Sequence, residues 1–235
     1  MNIYNYLAGV ILTFTSLTLH ANTPPTISPT AIFVTEDGEE QSSDYSGTAP
    51  VVAKFFAHVQ DAEGWTANYE WRFYSDADAQ NPYLIRYEEN TEFTFKQSGN
   101  HFVRLYVTFI QGKDTIQYAQ EYWTQQQPIA ISIAESTLEM PNAFSPNGDG
   151  INDVYKAKEG FQSIIEFNAS IYNRWGQKMF EWNSPAEGWD GKFNGKDAKQ
   201  GVYFVVVKAK GADGKIFHIK RDVNLLRGYT ETSRQ

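Results

Sequence analysis

The chain contains no cysteine. Disulfides, thiolate metal centres and a thiol-linked lipid anchor are therefore outside its chemistry, and any folded part must rely on core burial alone. There is no Lys- or Arg-rich run, and the formal net charge is -8, so the basic footprint that nucleic-acid binding requires is missing. No stretch sustains the 3.6-residue periodicity of a long helix. Catalytic signatures are absent too: no Gly-x-Ser-x-Gly, His-Glu-x-x-His or phosphate-cradling glycine motif occurs. The carboxylate pairs Asp61 with Glu63 and Glu88 with Glu89 sit in polar turn segments, where such pairs are usually solvated. Together these absences point away from an enzyme.

What is present is β-forming. Aromatic residues make up 15% of the 235 residues, and Thr, Val, Ile, Tyr and Phe recur in short runs bounded by Gly, Asn, Asp and Pro, the composition of an all-β protein. The length suits one large or two small domains. Residues 1–21, MNIYNYLAGVILTFTSLTLHA, are uncharged and mostly apolar, with the small Ala21 at the end. They read as a secretory signal peptide, too short and Thr-rich to span a membrane. No transmembrane span is expected in the mature chain, and export is. Residues 22–30 read as a Pro/Thr linker.

From Ala31 onward the chain offers strand-like runs at 31–34, 51–59, 69–74, 91–95, 101–109 and 115–123, separated by turns such as DAEG, KQSGN and QGKD. This is the pattern of a hairpin-linked sandwich over 31–134. In HFVRLYVTF, alternation assigns Val103, Leu105, Val107 and Phe109 to the core face. A boundary falls near the polar dip at Glu135 and Ser136. Beyond it lie further runs at 166–175, 178–183, 201–211 and 215–227, with hairpin turns at Arg174-Trp175-Gly176-Gln177 and Gly211-Ala212-Asp213-Gly214. GVYFVVVKAKG, 201–211, is apolar enough to predict a central strand covered on both sides for part of its length.

One loop carries candidate chemistry. In PNAFSPNGDGINDVYK, 141–156, Ser145 can serve as position one of a calcium loop, with Asn147 at three, Asp149 at five, Gly150 at six and Asp153 at nine. The pattern breaks at position twelve, where Lys156 replaces a bidentate carboxylate, so a distant Asp190 or Asp197 would have to complete the site. No cofactor is expected beyond this candidate site, whose oxygens would suit a hard cation such as Ca²⁺. The alternative is an Asx-turn loop, with Asn147 and Asp149 bonding the backbone and Gly148 and Gly150 at positive φ. The aromatics raise a second option, a sugar platform, for which Trp65, Trp123 and Trp182 lack an obvious packing reason, whereas aromatics more often fill cores.

The ordered series PNAFSPNGDGINDVYK, SIYNRWGQKMFEWN (170–183), GWDGKFNGK (188–196), GVYFVVVKAKG and VNLLRG (223–228) resembles the gliding-motility-associated C-terminal domain. That family is the type B sorting domain of the type IX secretion system of Bacteroidetes. The resemblance implies an immunoglobulin-like β-sandwich over 137–228, followed by a polar tail at 229–235, in a protein carried across the outer membrane to the cell surface or beyond. Its implied motif residues are Pro141, Asn142, Phe144, Ser145, Pro146, Asn147, Gly148, Asp149, Gly150, Asn152 and Asp153 in the loop; Asn173, Arg174, Trp175 and Gly176 in the turn; then Trp189, Asp190, Gly191, Gly201 and Tyr203. The implied partner is the outer-membrane type IX machinery, which would recognise a folded surface. Trp71, Phe73, Gly99, Val103, Leu105 and Val107 in the first half are similar to the pattern of PKD domains, which mostly act as spacers or weak binding modules. The expected architecture is thus two tandem sandwiches. The remaining alternative is a glycan- or matrix-binding module, its partner a glycan or another surface protein, with the second sandwich purely structural.

Overall fold

The computed structural model describes residues 23–35, 38–76 and 80–227. The segment read as a signal peptide and the 229–235 tail lie outside these residues. The described chain is an all-β sandwich fold with one short helix. Alternating apolar residues on short strands can bury only one face each, and this chain satisfies them by stacking sheets.

In the first half, β1 (Thr30–Thr35), β2 (Gly38–Gln41), β4 (Val51–Phe56) and β7 (Thr91–Phe95) form one sheet in the order β2-β1-β4-β7. The other sheet runs β3 (Asp44–Gly47), β10 (Ile129–Ile133), β8 (Gly99–Gln111), β5 (Thr66–Tyr74), β6 (Leu84–Arg86), and β9 (Asp114–Tyr118) also pairs with β8. Phe33, Phe55, Trp71, Phe73, Phe95, Leu105 and Phe109 meet between them, fully buried. Val103 and Val107 join them, as the alternation in β8 requires.

Two segments depart from expectation. The run 115–123 was expected as one strand, but β9 ends at Tyr118 and α1 (Gln120–Gln125) follows. Ala, Gln and Glu after Tyr118 favour helix over strand, and the helix lets the Trp123 indole N–H donate to the Leu105 carbonyl at 3.0 Å. The stretch read as linker is packed at Ile27, which is buried in the first core, while the Thr26 amide donates to Gln60.

The second half contains β11 (Ala143–Phe144), β12 (Ile164–Tyr172), β13 (Lys178–Trp182), β14 (Lys192–Phe193), β15 (Lys196–Asp197), β16 (Gly201–Gly211) and β17 (Ile216–Leu225). The sheet order is β11-β17-β16-β12-β13, with β14 and β15 forming a separate ribbon. Tyr155, Trp189, Ile171, Val207, Val223 and Leu225 fill its core. β16 is central, but only its inner face is buried along its length, with Val206 half-buried on the other. Tyr203, Val205, Val207 and Ala209 point inward, while Val202 and Phe204 are 48% and 46% exposed. The expectation of coverage on both sides for part of the length is corrected at this end of the strand, where the outer-face side chains stand about half exposed.

Candidate functional site

The 145–153 loop is closed by its own carboxylates. Asp153 accepts the amides of Asn147 and Gly148 on one oxygen, at 2.9 and 2.7 Å, and that of Gly150 on the other, at 2.8 Å. These N–H groups hold its carboxyl below the usual carboxylate range. Asp149 accepts the Ile151 amide and the Asn147 side-chain amide, both at 2.8 Å, and Asn147 Oδ1 accepts the Asp149 amide at 3.0 Å. Gly148, Gly150 and Asn152 take φ of 81°, 85° and 52°, the left-handed conformation for which Gly and Asn are suited.

The metal candidates Ser145, Asn147, Asp149 and Asp153 do share this loop, but the Asx-turn chemistry already occupies the oxygens of Asn147, Asp149 and Asp153. Asp197 pairs with Arg227 at 3.5 Å, and Asp190 accepts the Lys192 amide at 3.0 Å. Among the described residues no group of three His, Asp or Glu side chains is placed to hold a metal ion.

The implied motif residues of the 141–153 loop, of 189–191 and of the start of β16 converge at one end of the second core. Asn142 accepts the Asn224 amide, which seats β11 beside β17. Phe144 packs on Tyr155 and Trp189, with ring centroids 5.7 and 5.4 Å apart, and Trp189 meets Tyr203 at 5.0 Å. Each polar atom of this hub is satisfied by backbone: Tyr155 donates to Pro141, Trp189 to Lys192 and Tyr203 to Lys199. Burial pushes the Tyr155 phenol well above its ordinary value. The Arg227 guanidinium then donates to the carbonyls of Ala198, Gly191 and Pro146. Loop, ribbon and last strand are thereby one rigid unit.

The Asn173–Gln177 turn is a separate feature. Asn173 Oδ1 accepts the amides of Trp175 and Gln177, each at 3.0 Å, and Gly176 takes φ of 80°. The turn holds Trp175 77% exposed, with the Arg174 guanidinium 4.4 Å from its ring centroid. Beside it opens a cavity of about 850 Å³, bounded by this turn, residues 193–200 and the outer face of β16.

The tryptophans without an assigned packing role prove to be core residues: Trp123 and Trp182 are buried, and Trp65 packs against the first cluster. The exposed indole is Trp175, which sequence placed in the turn without revealing its exposure. Val202 and Phe204 were missed because an apolar run reads the same whether its second face is covered or open. The signal that was available lies further along the strand, where Lys208 and Lys210 share the face of Val202 and Phe204 while Tyr203, Val205, Val207 and Ala209 share the other.

Residues 138–219 match the family model of the CHU_C type IX secretion signal domain. A domain of that family implies export by the type IX route and an encounter with its machinery. No curated protein is significantly similar to the chain. Among solved structures, the crystal structure of dimeric latent PorU from Porphyromonas gingivalis is similar at 12% identity, with a TM-score of 0.28. The similarity covers 88% of this chain and 20% of that one, so the chain spans about a fifth of that protein.

Proposed function

We propose that the chain is a non-enzymatic surface or secreted protein whose second sandwich is the part read by the outer-membrane type IX machinery. The family match over 138–219 carries this reading. The folded hub supports it, because a rigid unit built from loop, ribbon and last strand can be recognised as a shape. The features offered for recognition are the Asn142 to Asp153 loop, the Arg174-Trp175-Gly176 turn, the Trp189-Asp190-Gly191 segment and the final stretch from Val223 to Gly228. The first sandwich is assigned as a PKD-like spacer, and the display it supports fits adhesion or gliding motility.

Deletion of residues 136–235 tests the assignment in a cell that has the type IX apparatus. The truncated chain should be retained in the periplasm, and a reporter fused ahead of 136–235 should reach the surface. Normal surface levels of the truncated chain would refute the sorting role.

A further inference from the structure

We propose that the cavity beside Trp175 is a binding site for an acidic saccharide. At about 850 Å³ it falls within the roughly 300–1,000 Å³ of small-ligand sites.

Its floor is apolar and open. Trp175, Val202 and Phe204 are 77%, 48% and 46% exposed, and large side chains gathered in solvent mark interaction sites. The turn itself does not require an aromatic at 175. Asn173 and Gly176 supply its hydrogen bonds and its positive φ, while the indole contributes only the stacking of Arg174. What the indole offers is a flat face to something outside the chain.

The rim is cationic. Arg174, Lys196 and Lys199 line the cavity, and among the described residues none of them has a carboxylate partner. The single lining carboxylate, Asp197, is taken by Arg227. The wider field agrees: residues 138–227 carry thirteen Lys and Arg against eleven Asp and Glu, whereas residues 23–137 carry six against sixteen. The cavity thus lies in the half that is, at a formal +2, the less repulsive to an anion in a chain whose net charge is -8.

Ligand class follows from the combination. A pyranose ring presents an apolar C–H face to an aromatic ring, as amphipathic ligands do in aromatic-lined sites. Its hydroxyls suit the exposed amides of Asn194 and Gln200, and a carboxylate or sulfate on the ring suits the lysines. A neutral sugar would leave the cations without use, and an apolar ligand would leave the amide rim unpaired.

The purified full chain is titrated with tetragalacturonate, cellotetraose and poly-L-glutamate, followed by tryptophan fluorescence and calorimetry at low and high salt. Tetragalacturonate should bind and quench, with affinity falling in high salt, and it should weaken by about tenfold or more in Trp175→Ala and in the Lys196→Ala/Lys199→Ala double variant. These side chains are exposed, so unchanged melting temperatures will separate lost binding from lost folding. Absence of binding, equal binding of cellotetraose, stronger binding of poly-L-glutamate, or full affinity in Trp175→Ala would each overturn the assignment. The same turn is offered to the secretion machinery, so the two roles are read apart: the titration uses purified protein, without that machinery, and surface delivery of Trp175→Ala is measured separately.

Discussion

Two residues show how differently position can weigh on the same sandwich. At Gly188 an added Cβ would run into the Tyr155 carbonyl oxygen and carbon, which are backbone atoms. The Tyr155 and Trp189 backbones exchange two hydrogen bonds there, so Gly188→Ala should cost about 3 kcal/mol by urea denaturation, the upper range for overpacking. Trp175→Ala, at an exposed turn, should stay within about 0.5 kcal/mol. Asp153 gives a pH signature. Its carboxyl is held below its ordinary value by three amides, so its contribution is present above the unfolded carboxylate pKa of about 4 and fades as pH falls through the depressed value. Melting temperatures of the native chain and Asp153→Asn, recorded from neutral to strongly acidic pH, should differ at neutrality and converge in acid. The turn chemistry of Asn147, Gly148 and Gly150 was legible in the sequence because these residue types have few other reasons to cluster. The demand on Gly188 was not, since it arises from a close approach of two distant segments.

At the scale of elements, pattern located strands well and their surroundings poorly. The run 91–95 and the run 201–211 coincide with β7 and β16, because turn residues bound both tightly. The alternation of β8 identified its core face for the same physical reason: period two leaves no other way to bury four apolar side chains together. In β16 the sequence is apolar on both faces over 202–207, so that stretch alone does not say which face has a neighbour; Lys208 and Lys210, which continue the face of Val202 and Phe204, do. The two faces should respond unequally to mutation. Val207 is fully buried, and Val207→Ala removes two methyl groups and leaves a cavity, a loss of about 2 kcal/mol. Phe204→Ser on the open face should change stability by less than about 1 kcal/mol, although it removes the larger side chain. Equal losses in denaturant midpoint would mean that the outer face is covered in solution.

For the whole molecule, the two halves are joined by more than the chain between them. The β16–β17 hairpin tip reaches the first half, where Ala212 counts among its buried core residues, and the Ser98 amide donates to the Ala212 carbonyl at 3.2 Å. Ser163 fastens the junction: its hydroxyl donates to Ala134 at 2.6 Å and accepts the Ala49 amide at 3.1 Å, while its own carbonyl accepts the Ala212 amide at 2.9 Å. Ser136, read from sequence only as part of a polar dip, is buried and donates to Asp213 at 2.7 Å. A composition shift can mark where apolar patterning pauses, but it carries no information about partners more than 70 residues away. This geometry predicts coupled unfolding. Ser163→Ala leaves the buried Ala49 amide without its acceptor, which should cost about 1–3 kcal/mol. Because the lost bonds lie at the junction and not in either core, the calorimetric transition should also broaden or split, as coupling between the halves weakens. A variant that shifts to lower temperature as one sharp transition would place the serine's contribution inside a single core instead.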